Sequence, residues 1–149
     1  MTDGPIDQAI ADYVTSTYEG VDVAATGGGT FFSCDPKKHW PNFATLVTTD
    51  DFDDASNLSR EGVYRLNIGV TGKTFDATLG EGALDRDHDY TALDTWLPHP
   101  VYGRQHWLSI LNPSTQTFES QVKPLLDEAY DVVAGRAERL SKRGPGATP

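Results

Sequence analysis

The spacing of apolar residues predicts an amphipathic helix near each end of the chain. Residues three and four positions apart lie on one face of a helix, and largely apolar residues recur at this spacing in two segments. The first segment contains Ile6, Ala9, Ile10, Tyr13, Val14 and Thr17, and the second contains Phe118, Val122, Leu125, Leu126, Ala129, Tyr130 and Val133. Pro124 interrupts the second pattern. Because proline inside a helix costs about 3 kcal/mol, we expect a kink or a fresh helix start there.

Between these helices, short runs of β-branched and aromatic residues predict strands. The runs span residues 21–25, 30–34, 43–49, 64–70 and 107–111. In the 64–70 run, apolar side chains alternate with Arg65 and Asn67, which predicts one buried face and one polar face. Thr71 follows this strand and is a typical N-cap for a short helix that ends at Leu79. Pro98 and Pro100 argue against a central strand or helix at their positions.

Strands in series with helices at both ends are typical of an α+β domain. We therefore predict a single domain over residues 1–140, with a mainly antiparallel sheet. The N-terminal and C-terminal helices should pack on one face of that sheet. Residues 141–149, Ser-Lys-Arg-Gly-Pro-Gly-Ala-Thr-Pro, have the composition of a disordered tail. The chain of 149 residues is long enough to bury a core of its own.

Charge and composition narrow the classes of partner and the compartment. The net charge of −10 disfavours nucleic acid, since binding to phosphate backbones requires clustered Lys and Arg. No apolar run approaches the ~18 residues that would span a membrane, and the first residues do not resemble a signal peptide. Cys34 is the single cysteine and cannot form an internal disulfide, which suits a cytoplasmic protein. We expect neither nucleic-acid nor membrane partners, and composition leaves the oligomeric state open.

Several motifs resemble those of known families. A proline-bounded loop ending in His106-Trp107, then a strand, then Leu-Leu-Asp-Glu-Ala-Tyr at 125–130, is similar to the final third of the MmcQ/YjbR-like fold, a small α+β domain of frataxin-like shape. The whole chain up to about Ala134 more closely resembles a bacterial domain family of unknown function. The motifs behind this resemblance are Thr-Phe-Phe, Ala-Thr-Leu-Val-Thr, Asp-Asp-Phe-Asp-Asp-Ala-Ser, Arg-Leu-Asn-Ile-Gly-Val and Leu-Pro-His-Pro-Val-Tyr. That family implies no established chemistry, whereas the MmcQ/YjbR-like resemblance implies DNA binding through exposed wings, against which the net charge argues.

Several motifs with a familiar chemistry fail on a named residue. Gly72-Lys73-Thr74 resembles the end of a phosphate-binding loop, but Asn67 stands where that motif needs its first glycine. The alternating acids at 85–89 lack the glycine and the glutamate of a calcium-binding EF-hand loop. Four acids at 50–54 should stay solvated unless a cation or a basic side chain neutralises them. No spacing of histidines predicts a metal site, so we expect no metal and no cofactor.

The loop at 98–107 is the best candidate for a functional site. Tyr102, Arg104, His106 and Trp107 supply a phenol, a guanidinium, an imidazole and an indole within six positions, and His99 lies just before them. Arg104 can bind an anion, and aromatic rings can stack on a planar ligand. Arg65 and Asn67 can form a second wall. The structural alternative is that Trp107 belongs to the core and that Arg104 pairs with an acid.

Three functional hypotheses follow. The first is a domain that binds a small anionic or planar molecule, or a protein partner, through the 98–107 loop. The second is an enzyme in which His106 is a general base and Arg104 clamps an anion. The third is a DNA-binding wing domain, which the charge disfavours. The sequence alone does not decide whether the protein is an enzyme.

Overall fold

The protein folds around one six-stranded sheet in which every pair of neighbouring strands is antiparallel. The computed structural model describes residues 4–34 and 42–143, the last eight of these by their backbone alone. The strands are β1 Asp22–Thr26, β2 Gly29–Ser33, β3 Ala44–Val47, β4 Arg65–Gly69, β5 Leu97–Pro98 and β6 Trp107–Leu111. Their spatial order is β1-β2-β3-β4-β6-β5. Pro98 therefore lies in an edge strand, which agrees with its expected exclusion from a central one.

The helices are α1 Asp7–Thr17, α2 Gly72–Leu79, α3 Thr115–Thr117 and α4 Lys123–Arg143. A π-helical turn, Phe118–Val122, joins α3 to α4. We expected a kink or a fresh helix start near Pro124, and the structure has the π-helical turn immediately before it. Thr117, Phe118 and Lys123 all keep right-handed helical backbone angles, and the Lys123 amide donates to the Phe118 carbonyl, so the helix continues through this turn into α4. Among the described residues, none of the helices combines the length and the apolar character needed to cross a bilayer.

The terminal helices cover one face of the sheet, as predicted, and the α+β class is confirmed. The main core joins residues of α1, of the π-helical turn and of α4 to alternate residues of β2, β3, β4 and β6. Its fully buried members include Ile10, Val14, Phe32, Phe43, Leu66, Ile68, Ile110, Val122 and Leu126. Burial of this apolar surface is the main force that holds the helices against the sheet.

The expectation for the opposite face of β4 was wrong. We predicted one buried face and one polar face, yet Arg65 and Asn67 are each only 1% exposed. The side chains that alternate with the core therefore lie under a second cover, formed by chain that folds back over the sheet. Two residues outside the strands are buried on this side: Ser56, nine residues before Arg65 in the connection from β3 to β4, and His99, which follows β5. The strand is thus buried on both faces, and its polar residues must find partners inside the protein.

The start of α2 shows why Gly72-Lys73-Thr74 is not available to a phosphate. Thr71 caps the helix as predicted, since its side chain accepts a hydrogen bond from the Thr74 amide. The carboxylate of Glu128, in α4, accepts from the Thr74 hydroxyl at 2.6 Å and from the Thr71 amide at 3.2 Å. A carboxylate of the chain itself therefore occupies the positive end of this helix.

Two predicted segments fall wholly or partly beyond the described residues. The loop that was expected at 35–42 lies outside them except for Asn42. The predicted tail at 141–149 begins within α4, which continues to Arg143, and its remainder lies outside the described residues.

Candidate ligand-binding site

A row of polar side chains crosses the face of the sheet opposite the terminal helices (the helix-free face). These side chains form the floor of the candidate site. Thr45, Asn67 and Ser109 are direct neighbours across β3, β4 and β6. Arg65 lies two residues before Asn67 on β4 and therefore points to the same face. Asn67, Ser109 and Arg65 are almost fully buried, so the floor was withdrawn from water when the chain folded.

Asn67 connects this floor across three strands. Its Oδ1 accepts hydrogen bonds from Arg65 Nε at 3.0 Å and from Ser109 Oγ at 2.7 Å. Its Nδ2 donates to Thr45 Oγ1 at 2.9 Å. Each of these buried groups thus has a partner, which offsets the cost of removing it from water. The network also fixes the side chains of the floor in one arrangement.

The charge of Arg65 is neutralised by Asp53. Arg65 Nη1 and Nη2 donate to the two oxygens of this carboxylate at 3.0 and 2.6 Å, and Nη1 also donates to Ser56 Oγ at 3.0 Å. Such a two-pronged geometry is the strongest that an arginine and a carboxylate can form. The hydrogen bonds from Arg65, opposed by partial burial, hold the pKa of Asp53 below its usual value of 3.8. The pair therefore anchors the acidic 50–54 segment to β4.

Above the floor lies a cavity of about 400 Å³. Its apolar walls consist of Phe31, Val47, Phe52, Val101, Tyr102 and Trp107. Phe31 and Phe52 meet edge to face, with ring centroids 5.6 Å apart. Trp107 lies across β4 at Gly69, where an added Cβ would come within 3.0 Å of the indole. Glycine at this position therefore lets the indole lie close against the sheet.

The hairpin between β5 and β6 positions the remaining wall. The His99 amide donates to the Trp107 carbonyl at 2.9 Å, and the Gly103 amide donates to the His99 carbonyl at 3.0 Å. Gly103 is buried, and a Cβ there would come within 2.9 Å of the end of the Leu84 side chain and within 3.2 Å of the Pro98 Cβ. A side chain at this position would therefore require Leu84 to move aside.

His99 is a buried, neutral imidazole that lines the cavity. Its Nδ1 accepts hydrogen bonds from the backbone amides of Val101 and Tyr102, both at 3.0 Å. The proton of the neutral ring must then be on Nε2. Burial, reinforced by the nearby charge of Arg65 and opposed by Asp53, lowers the pKa of His99 to about 4. At neutral pH the ring therefore offers one N–H donor and no charge.

The structure brings most of the predicted ligand-binding residues to this cavity. Those that line it are Arg65, Asn67, His99, Tyr102 and Trp107. Arg104 and His106 do not line it, and both are exposed. The His106 ring instead packs beside Phe75, with centroids 5.6 Å apart, and against Gly72. Its backbone has a φ of +67°, which ends the 3-10 turn before β6.

Asp53, Phe31, Phe52 and Thr45 were not predicted as parts of this site. One signal in the sequence did point to Asp53, because four acids within five positions repel one another unless a cation or a basic side chain neutralises them. The aromatic residues gave no comparable signal, because their contribution depends on how distant segments fold over the sheet. The residues that form the site come from separate parts of the chain.

The fold and this cavity define a single α+β domain with helices on one face of its sheet and a polar-floored cavity on the other. Residues 5–143 match the model of a family of unknown function, DUF6194, and the chain belongs to that family. The resemblance to a family of unknown function is thereby confirmed over nearly the whole chain. No curated protein and no solved structure matches it.

The pairing of Arg65 with Asp53 leads to a stability prediction. Asp53→Ala should lower the free energy of unfolding by about 3–5 kcal/mol, because it leaves a buried guanidinium without its counter-charge. Asp54→Ala removes the same charge from an exposed neighbour and should change stability by no more than about 0.5 kcal/mol. Urea unfolding at neutral pH measures both. Adding Arg65→Met to Asp53→Ala should restore much of the loss, and equal effects of the two alanine variants would contradict the assignment.

The same pair makes a signed contribution to the pH dependence of stability. The folded-state pKa of Asp53 lies below 3.8, the usual value for its carboxyl group. The stabilisation that the ion pair with Arg65 gives is therefore fully present above pH 3.8. It is lost as the pH falls through the lower, folded-state pKa.

A second prediction concerns the ionisation and tautomer of His99. Nitrogen-detected NMR should show the proton on Nε2 at neutral pH and titration of the ring at about pH 4, well below the usual 6.5. Since the unfolded chain takes up this proton first, the contribution of His99 to stability should become unfavourable as the pH falls from 6.5 towards 4. A ring that titrates near 6.5, or that carries its neutral-state proton on Nδ1, would show that the loop does not hold His99 in this way.

Proposed function

We propose that this protein is a binding domain for a small planar molecule, held in the cavity between the helix-free face of the sheet and the 98–107 loop. The observation that carries the proposal is an apolar-walled cavity of about 400 Å³ above a floor of buried, mutually bonded polar side chains. Small-molecule sites have this composition, in which apolar walls supply affinity and a few fixed polar groups supply orientation.

The fixed arrangement of the floor side chains supports a role in binding. Arg65 and Asn67 are held in place by hydrogen bonds to other side chains of the protein. A ligand that docks on them would therefore meet side chains that need little rearrangement, and the entropic cost of binding would be small. Packing alone would be served as well by apolar residues at these positions, as the opposite face of the sheet demonstrates.

The rim of the cavity supports a planar, partly apolar ligand. Phe52, Val101 and Tyr102 line the cavity and are 46%, 54% and 53% exposed. Large apolar side chains grouped at the mouth of a cavity are unfavourable in water, and such groups commonly mark interaction sites. With Phe31 and Trp107, the aromatic residues of this rim can stack on a flat ring from more than one side.

The catalytic hypothesis has weaker support than binding. His106 and Arg104, its proposed base and anion clamp, are exposed and do not line the cavity. His99 does line it, but its pKa of about 4 makes it a weak base at neutral pH.

The net charge of −10 argues against the DNA-binding alternative. The MmcQ/YjbR-like relationship stays part of the proposal, and the order of helices and strands supports it.

Binding can be tested with indole and quinoline, two neutral planar probes, in protein–observed NMR titrations. Both should shift amide resonances of Thr45, Asn67 and Tyr102, because these residues lie around the cavity. Phe52→Ala should weaken binding about tenfold, since stacking on one ring contributes roughly 1–3 kcal/mol. Val23→Ala is the matched control, because Val23 is a similarly exposed apolar residue, 43% exposed, that does not line the cavity. Shifts scattered over the surface, or equal affinities for the two variants, would refute the proposal.

A further inference from the structure

We infer that the ligand is uncharged and presents a hydrogen-bond acceptor, such as a carbonyl or a ring nitrogen, to the polar floor. This inference rests on the proposed function. The same floor disfavours carboxylates and phosphates. Of the anionic and planar molecules that the sequence predicted as ligands, only those that are planar and neutral then remain.

The charge of the floor is the first reason. The only cation that lines the cavity within the described residues is Arg65, and Asp53 neutralises it through both carboxylate oxygens. His99 is neutral, as its two amide contacts at Nδ1 require. An anion that enters the cavity would lose its water and would gain no counter-charge from residues 4–34 and 42–143, which is costly in an apolar site.

The hydrogen-bond inventory is the second reason. Arg65 has five N–H donors, and hydrogen bonds to described residues account for four of them. Asn67 uses both lone pairs of Oδ1 and donates one of its two N–H groups. Thr45 accepts that bond and keeps its own hydroxyl proton. Arg65, Asn67 and Thr45 therefore each leave one N–H or O–H donor to a ligand, and Thr45 also leaves one acceptor lone pair.

His99 supplies the donor best placed to define the ligand. Nδ1 is used within its own loop, so Nε2–H is the polar group that the ring can offer to the cavity that it lines. The ring is also tilted against Tyr102, with centroids 5.0 Å apart. A flat ligand lying against Tyr102 would thus bring an acceptor on its edge within reach of the imidazole.

Three probes of nearly equal shape separate the alternatives: acetophenone, benzamide and benzoate. Acetophenone and benzamide are neutral and carry a carbonyl acceptor, whereas benzoate is anionic. Titrations followed by NMR at neutral pH should give dissociation constants at least about tenfold lower for the two neutral probes. The shifts should include the side-chain N–H of His99.

Asp53→Asn provides a test in the opposite direction. Removing the carboxylate charge leaves Arg65 uncompensated, so the ratio of the benzoate and acetophenone affinities should shift about tenfold in favour of benzoate, whatever the change common to both probes. Asp54→Asn makes the same charge change at an exposed neighbour and should leave both affinities unaltered. If Asp53→Asn does not fold, the order of affinities in the wild-type protein decides the question.

Each outcome has one meaning. Preferred binding of the neutral probes supports the inference. Equal or tighter binding of benzoate at the cavity overturns the inference and leaves the proposed function standing. Absence of cavity shifts with all three probes, together with absence of shifts with indole and quinoline, overturns both.

Discussion

The burial of one guanidinium group organises the helix-free half of this domain. Arg65 lies on a central strand and is 1% exposed. A buried cation is tolerated only with a counter-charge and a full set of acceptors. Asp53 supplies the counter-charge, and Asp53, Ser56 and Asn67 together accept four hydrogen bonds from the guanidinium. These contacts draw the 50–57 segment across the sheet. The cavity exists because this segment and the 98–107 loop stand over the floor without filling the space between them.

The two faces of the sheet therefore have different roles, one in stability and the other in the proposed binding. Apolar side chains and the terminal helices form the main core on one face, and most of the stability must come from there. The other face contains a polar network that contributes less to stability than apolar packing would. A polar network in that position is most useful if it recognises something, which is why the proposed function is placed on this face.

Local patterns in the sequence predicted much of the fold. Helical spacing located α1 and α4, alternation located β4, and Pro124 marked the irregular turn before α4, because each of these signals lies within a few residues of what it determines. The error at β4 has a different origin. Arg65 and Asn67 alternate with apolar residues as they would on an exposed face. Only the contacts of Arg65 with Asp53 and Ser56, twelve and nine residues earlier in the chain, reveal that this face is covered.

For the candidate site too, the sequence predicted the features that depend on neighbouring residues and missed those that depend on contacts between separate segments. The 98–107 loop could be singled out because its chemistry is concentrated in sequence, and His99, Tyr102 and Trp107 do line the cavity. Arg104 and His106 belong to the same loop but lie on its exposed side, since the 3-10 turn and the left-handed His106 direct them away. The acidic 50–54 segment looked like a solvated surface because its partner is on another strand. The pairing of acids with bases across a fold is set by tertiary structure, which local periodicity does not encode.

The most direct test of this account is the exchange behaviour of the arginine side chains in ¹H–¹⁵N NMR spectra at neutral pH. Arg65 Nε–H, bonded to Asn67 within the sheet, should exchange slowly with solvent, and its Nη groups should give separate signals because Asp53 restrains their rotation. The exposed Arg104 should exchange rapidly in the same sample. If Arg65 exchanges as fast as Arg104, the guanidinium is not locked into the floor, and the central claim is contradicted.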